Sequence, residues 1–528
     1  MKMNLYNDIK KIISITVPIL VAQLSTMGIN FINTMMAGHA GTDDLAGVSV
    51  GTGLFFPFEA AAIGLLMAGT PIIAQLIGKG DQKSIPFVVR TGLYIGMIIS
   101  AAFILAYLVF ADSALKSLSL EGEVYHVAKY YIAAMVVAVV FISFIIPLRA
   151  LTDTMGETTI SMKLFVSALP ISGALNYLLI FGHWGFPRLG GIGAGVSAAV
   201  TYFIILIMFL LIVFNDKRFM GKEIFSSWKS RASDWKEYLN VGIPGGLSVF
   251  MEMGLFGIII IFMAKFGTET LAAYQIADNF ANMAYMVPLS CAMGLTILVA
   301  EAAGANNHSL AGRYAKAGIL LSIGFSSVEL LLTVLFRTHI GMIYTDNSSV
   351  ILIASQFLIY ASCFQFFDSV AGPVQGILRG YKDTKVPFVL LLISYWFICF
   401  PLSLGLDHIM DMGGISYWIG LVTAAGAASV FLTLRLMTIE NFSFASIIHD
   451  FESRSEEEVY DIWERAKLLR VRKAARISRQ KTALLQYSRS VIRRNIYIPQ
   501  KLILEISRHI LMLLRLYTTG YGSKSYVP

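Results

Sequence analysis

Apolar stretches of 20 or more residues, parted by short polar breaks, recur near 12–37, 46–77, 87–110, 124–148, 160–182, 191–214, 239–264, 271–300, 314–336, 350–377, 387–407 and 415–438. About twenty such residues in a helix span a hydrocarbon core. Lipid supplies no hydrogen bonds, so only helices and closed barrels can cross it, and the short alternating segments of a barrel are missing. The pattern therefore predicts an all-α polytopic membrane protein with about twelve transmembrane helices. The leading MKMNLYNDIKK opens into an apolar run longer than a signal-peptide core and without a small-residue cleavage site, which predicts an uncleaved first span.

The chain repeats itself. At an offset of 226, Pro18 meets Pro244, Gly28 meets Gly254, Gly41, Thr42, Leu45 and Ala46 meet Gly267, Thr268, Leu271 and Ala272, and Gly78 meets Gly304. Leu148-Arg149 and Asp153-Thr154 match Leu378-Arg379 and Asp383-Thr384 at an offset of 230. Six helices per repeat is an even number, so both repeats start on the same side and are related by an axis along the membrane normal. The expected organisation is two pseudo-symmetric six-helix lobes, 1–214 and 239–440, joined by a linker at 215–238 and followed by an amphipathic tail at 441–528.

Charge settles the expected orientation. With the N-terminus inside, twenty of the basic residues before 441 fall on the cytoplasmic side and only Lys116, Lys129, Arg188, Lys265 and Arg337 fall outside. This predicts a multi-pass protein of the cell (inner) membrane with both termini cytoplasmic. The net charge of +8 belongs wholly to the tail, which holds 16 of the 41 basic and 8 of the 33 acidic residues. Residues 1–440 carry 25 of each and sum to zero. The tail segment KLILEISRHILMLLRLY, interrupted by Glu505, Arg508 and Arg515, is expected to lie on anionic lipid headgroups, without spanning and without a nucleic-acid role.

Several chemistries are excluded or unsupported. At 14% charged and 56% apolar the chain is no ordinary soluble enzyme. Cys291, Cys363 and Cys399 lie in apolar segments without metal or disulfide spacing. No phosphate loop, HExxH, GxSxG or histidine cluster occurs, so neither ATP hydrolysis nor hydrolase chemistry has a candidate, and no cofactor is expected. An ion-driven transporter, a channel or a lipid-moving protein remains.

Ionisable groups within spans are costly in lipid unless they face a cavity or a partner. Glu59, Glu252, Asp278 and Asp368 fall deep within the second, seventh, eighth and tenth helices. Gln275 and Asn279 stand near Asp278 and are expected to share a polar pocket with it. The carboxylates would form either an oxygen-lined Na+ site or a proton relay. Arg149 with Asp153, and Arg379 with Asp383, repeat at the cytoplasmic ends of helices four and ten, as gate pairs or as plain positive-inside anchors.

These motifs resemble the multidrug and toxic compound extrusion family, in its bacterial NorM-like branch. The likeness covers roughly 10–440 and rests on VPILVAQLSTMGINFINTMMAG followed by LMAGTPIIAQLIGKGD, on YLLIFGHWGFPRLGGIGAGVSAAVTY, VGIPGGLSVFMEMGLF and LAAYQIADNF, and on FQFFDSVAGPVQGILRGYKDTK. It implies a monomeric two-lobed antiporter, not an enzyme, that exports varied, often cationic drugs or toxic metabolites in exchange for Na+ or H+. It places the cation site, Na+ included, at Glu252 and Asp368; Asp278 joins them as a cation-coupling candidate from its depth in the eighth helix alone. Gln275, Asn279 and Asn176 become polar lining by that match, and Asn33 and Glu59 stand beside them as first-lobe lining candidates. Asn33 departs from the family, which usually carries Asp there; a neutral amide binds Na+ but holds no proton, which shifts weight to the second lobe and to Glu59. A lipid-linked precursor flippase and a non-transporting membrane scaffold stand as alternatives.

Overall fold

The computed structural model describes residues 5–118, 120, 122–227 and 229–440; the tail expected at 441–528 lies outside the described residues. Among the described residues twelve helical spans are long and apolar enough to cross a membrane, and each overlaps one of the stretches read from the sequence. The first half comprises α1 (Leu5–Ala40), α2 (Thr42–Leu66), α3 (Gly69–Lys79), α4 (Ile85–Ser117), α5 (Gly122–Thr154), α6 (Thr158–Phe181) and α7 (Gly191–Asn215). A short α8 (Gly221–Phe225) follows. The second half holds α9 (Ala232–Met263), α10 (Thr268–Gly304), α11 (His308–Tyr344), α12 (Ser348–Gly380), α13 (Lys385–Leu392), α14 (Phe400–Met410) and α15 (Gly414–Glu440).

Two spans are broken, each at a proline. The second span kinks between α2 and α3 at Met67 and Ala68 because Pro71 offers no N–H to the Met67 carbonyl and its ring crowds that group. The repeat counterpart of Pro71 is Ile297, and α10 runs through that position unbroken. In the eleventh span a π-helical turn, Ile393–Cys399, separates α13 from α14, where Pro401 again removes an N–H.

The halves meet through a contact made twice. A Cβ on Gly78 would lie 2.0 Å from the Glu301 carbonyl oxygen, and one on Gly304 would lie 2.2 Å from that of Gln75. Residues 78 and 304, like 75 and 301, differ by the repeat offset of 226, so only glycine at both places lets α3 and α10 cross this closely. Nearby, Asp8 pairs with Arg313 Nε at 3.1 Å, Gln75 Nε2 donates to the Gly380 carbonyl at 2.8 Å, and the Tyr238 hydroxyl donates to that of Leu66 at 2.5 Å.

The linker expected at 215–238 is packed down rather than loose, and its last seven residues already belong to α9. Arg218 bridges Asp216 at 2.6 Å and Glu157 at 2.5 Å, and its guanidinium holds the Asp216 carboxyl below the usual range. Arg90 donates to the carbonyls of Ser227 and Lys229 at 2.9 and 2.7 Å, while Phe219 and Ile224 are buried. Leu105, Leu108 and Phe110 of α4 stay exposed, as a lipid-facing surface requires. Of the three cysteines, all free, Cys291 and Cys399 are buried and Cys363 half-buried.

Candidate functional site

Glu252 on α9 and Asp368 on α12 stand at the same height in antiparallel helices. One turn beyond Glu252 and one turn before Asp368, Phe256 and Phe364 meet edge to face with centroids 5.9 Å apart, which sets both acids one helical turn from the same contact. They interact electrostatically with each other, and the charge of Glu252 also reaches Arg379. The phenols of Tyr285 on α10 and Tyr395 in the π-helical turn belong to the same field. Trp396 Nε1 donates to the Met251 carbonyl at 3.3 Å, which ties that turn to α9 beside Glu252.

Gln365 and Ser369 flank Asp368 on α12 and are 1% and 0% exposed; Gln365 Nε2 and Ser369 Oγ have no hydrogen-bond partner. An orphaned buried polar atom costs about 1–3 kcal/mol. Carboxylate, phenol and hydroxyl oxygens converging here have the hard-donor character that an alkali cation takes, and the carboxylates can equally carry a proton. Sequence reasoning missed Tyr285, Tyr395, Gln365 and Ser369. A usable signal existed for Tyr285, the repeat counterpart of Glu59, and for Tyr395, inside the segment that Pro401 distorts.

The structure keeps Asp278 apart from this pair. It lies seven residues from Tyr285, two turns or about 10 Å along α10, and its Oδ2 accepts from Asn282 Nδ2 at 3.1 Å. The pocket expected with Gln275 and Asn279 is therefore a local i to i+4 contact with Asn282. Gln275 and Asn279 are exposed, and Asn279 Oδ1 accepts from the Tyr344 hydroxyl at 3.1 Å.

Asn33 and Asn176, expected to line an open cavity, instead bond to each other inside the first half. Asn176 Nδ2 donates to Asn33 Oδ1 at 2.6 Å, Ser172 Oγ donates to the same oxygen at 3.3 Å, and the asparagines are 0% and 5% exposed. Interhelical packing of α1 on α6 closes the site and leaves Asn176 Oδ1 without a partner. Replacing Asn33 by Leu removes the short bond of the Asn176 amide and leaves it only the 3.3 Å contact with Ser172 Oγ. A loss of about 1–3 kcal/mol is expected, read as a lower melting temperature in detergent; an unchanged melt would show that the pair contributes nothing.

The two arginine–aspartate pairs differ. Arg149 Nε meets Asp153 Oδ2 at 3.2 Å, both buried, with Ser161 Oγ donating to Asp153 Oδ1 at 2.5 Å and Gln23 Oε1 accepting from Arg149 at 3.3 Å. The expected Arg379–Asp383 pair is not formed that way: Asp383 Oδ2 accepts from Arg435 Nε at 2.7 Å. The reason is helix length. The α5 helix runs to Thr154 and keeps its pair on one face, whereas α12 ends at Gly380 and leaves Asp383 in the following turn. Among the described residues no group of three or more His, Cys, Asp or Glu could hold a metal.

A model of the MatE family matches residues 18–178 and again 244–404; both ends of the two matches differ by the internal offset of 226. The chain is 39% identical over 432 residues to a probable multidrug resistance protein NorM of Halalkalibacterium halodurans, covering 82% of this chain and 94% of that one. It is 37% identical over 442 residues to the same-named protein of Bacillus subtilis, covering 83% and 97%. The fold is similar to that of the Vibrio cholerae MATE transporter VcmN in its bent form, with a TM-score of 0.73, 18% identity and coverage of 83% and 99%.

Proposed function

We propose that this chain, which belongs to the MatE family, drives export by exchanging its substrate against a cation, Na+ or H+. The protein is a multi-pass membrane transporter for multidrug efflux and not an enzyme. The observation that carries the exchange reading is the pairing of Glu252 and Asp368 at one height within the spans, beside the orphaned polar atoms of Gln365 and Ser369. Two carboxylates that share one field favour a bound cation or proton, because neutralising one relieves the repulsion of the other. Glu252 and Asp368 bind the ion. Tyr285 and Tyr395 supply hydroxyls, and Arg379 moderates the negative field on one side.

Exchange requires each ligand to favour a different arrangement of the two halves. Ion bound at Glu252 and Asp368 stabilises one arrangement, drug the other, so ion entry from outside releases drug outward. The Arg149–Asp153 pair and the Asp383–Arg435 pair latch the cytoplasmic gate. By the distribution of basic residues, the end where Gly78 meets Gly304 faces the cytoplasm, with both termini on the cytoplasmic side of the inner membrane. The substrates are amphipathic, often cationic small molecules. The protein acts as a monomer, and its basic tail rests on anionic headgroups.

Purified protein in liposomes decides the matter when Na+ and pH gradients are imposed separately. Export should accelerate under at least one of the two; equal rates with both gradients absent or present would reject the exchange mechanism.

A further inference from the structure

Where the linker enters α9, two arginines share one ring. The Arg90 guanidinium lies 4.4 Å and that of Arg231 3.8 Å from the centre of Phe87, near the start of α4. Two like charges on one ring repel. Arg90 is buried and donates to the carbonyls of Pro86, Ser227 and Lys229 at 3.1, 2.9 and 2.7 Å. Arg231 is exposed and donates to Ser84 Oγ at 3.2 Å, and among the described residues no carboxylate lies within ion-pair distance of it.

The Ser84–Arg231 contact brings two basic segments together. Lys83 stands beside Ser84, Lys229 and Lys236 lie on either side of Arg231 along the chain, and all three are exposed. Acids offset part of this charge: Asp81 accepts from Ser84 Oγ at 2.7 Å, and Asp234 lies in the field of Arg231. Glu237 is taken by Lys382. Four cations against two carboxylates leave an excess of positive charge on this cytoplasmic surface.

Towards the membrane the surface changes character in order. One turn beyond Arg231, about 6 Å, Trp235 stacks on Tyr94 of α4 with ring centroids 6.3 Å apart and planes 7° from parallel. Rings with one polar edge gather at the headgroup level of a bilayer. Beyond Tyr94, Met97 and Ile98 of α4 are exposed and apolar. Cation, aromatic ring and hydrocarbon follow one another here as phosphate, glycerol ester and acyl chain do in a phospholipid. The two sides of this surface belong to different halves, α4 to the first and α9 to the second. They touch where a Cβ on Gly92 would lie 2.9 Å from the Tyr238 hydroxyl.

We propose that Arg231, with Lys83 and Lys236 around it and the Tyr94–Trp235 pair beneath, binds the phosphate of an anionic phospholipid of the inner leaflet. Seating the guanidinium on the Phe87 ring orders it before the lipid arrives, so less side-chain freedom is lost on binding. A free phosphate would use the cations and leave the rings and the apolar face idle, whereas a lipid uses all three. A lipid held between α4 and α9 also favours the arrangement in which the halves meet at Gly78 and Gly304. The site depends on how the chain sits in the bilayer, not on export or ion exchange.

The test uses the full-length protein in phosphatidylcholine liposomes with a trace of phosphatidylglycerol carrying a diazirine in its acyl chain near the ester. After illumination, mass spectrometry should find the label in residues 94–98 and 235–239. Added phosphatidylglycerol should displace it from both segments, while further phosphatidylcholine or inorganic phosphate should not. In Arg231→Gln the labelling of both segments should fall about tenfold, the order of a single charge-assisted contact, with labelling elsewhere in the chain unchanged. Undiminished labelling in that variant, an equal loss throughout the chain, or displacement by phosphatidylcholine overturns the lipid site. Displacement by inorganic phosphate assigns the cations to a free anion and overturns it too. Should Arg231→Gln not fold, competition between the two lipids on the wild type decides by the same outcomes.

Discussion

With Glu252→Gln and Asp368→Asn combined, export from proteoliposomes is expected to lose its dependence on an imposed cation gradient. Both substitutions keep side-chain volume and hydrogen-bonding capacity while removing two negative charges that share one field. Coupling free energies between ligand sites are commonly 1–3 kcal/mol, so gradient-driven export should fall by about 5- to 150-fold. Downhill equilibration of substrate should continue, because the path between the halves is left intact. Each single substitution should approach the double in effect, since residues sharing one field are not additive. Gradient-dependent export at the full wild-type rate in the double variant would remove these carboxylates from the mechanism.

Alanine at Gly78 or Gly304 is the second change with a large expected effect. A Cβ at either position collides with a backbone carbonyl of the opposing helix, at 2.0 Å from Glu301 and 2.2 Å from Gln75. Backbone cannot rotate away as a side chain does, so α3 and α10 must separate. A cost of about 1–3 kcal/mol is expected from each, as for other overpacked contacts. The two substitutions should cost nearly the same, because the repeat offset makes them the same contact seen from either side. The double variant should cost less than the two together, because one separation relieves both collisions. Melting temperatures of the three variants in detergent provide the check. A Gly78→Ala variant as stable as the wild type, or strictly additive losses, would contradict the close crossing described here.

The broad architecture was legible because lipid imposes a simple rule on sequence. Every stretch of roughly twenty apolar residues became a helix, and the glycines and prolines that match at an offset of 226 reappear at structurally equivalent places, Gly78 and Gly304 above all. The breaks within two spans had a local cause in Pro71 and Pro401. They were not drawn from hydropathy, which averages over the very turns where a proline acts. Among site residues, Glu252 and Asp368 were found from the cost of burying charge in lipid. Asp278 was grouped with them by the same reasoning, yet two turns of helix separate it from their field. Depth in a span is written in sequence; the direction a side chain takes around its helix is set by packing.

The polar lining shows that limit most clearly. Asn33 and Asn176 were read as cavity residues, and the packing of α1 on α6 buries them against each other. Arg379 and Asp383 looked like a copy of Arg149 and Asp153, and the end of α12 at Gly380 gave Asp383 to Arg435 instead. By itself the sequence determined twelve spans, a duplicated half, a neutral first 440 residues and the carboxylates that lipid would not tolerate unaided, because each follows from local composition and from the solvent the chain must match. Only the tertiary structure decided which of those groups meet, as Asp8 meets Arg313 and Phe58 meets Phe250, because contacts between residues hundreds of positions apart depend on how each helix is rotated, kinked and set in depth against its neighbours.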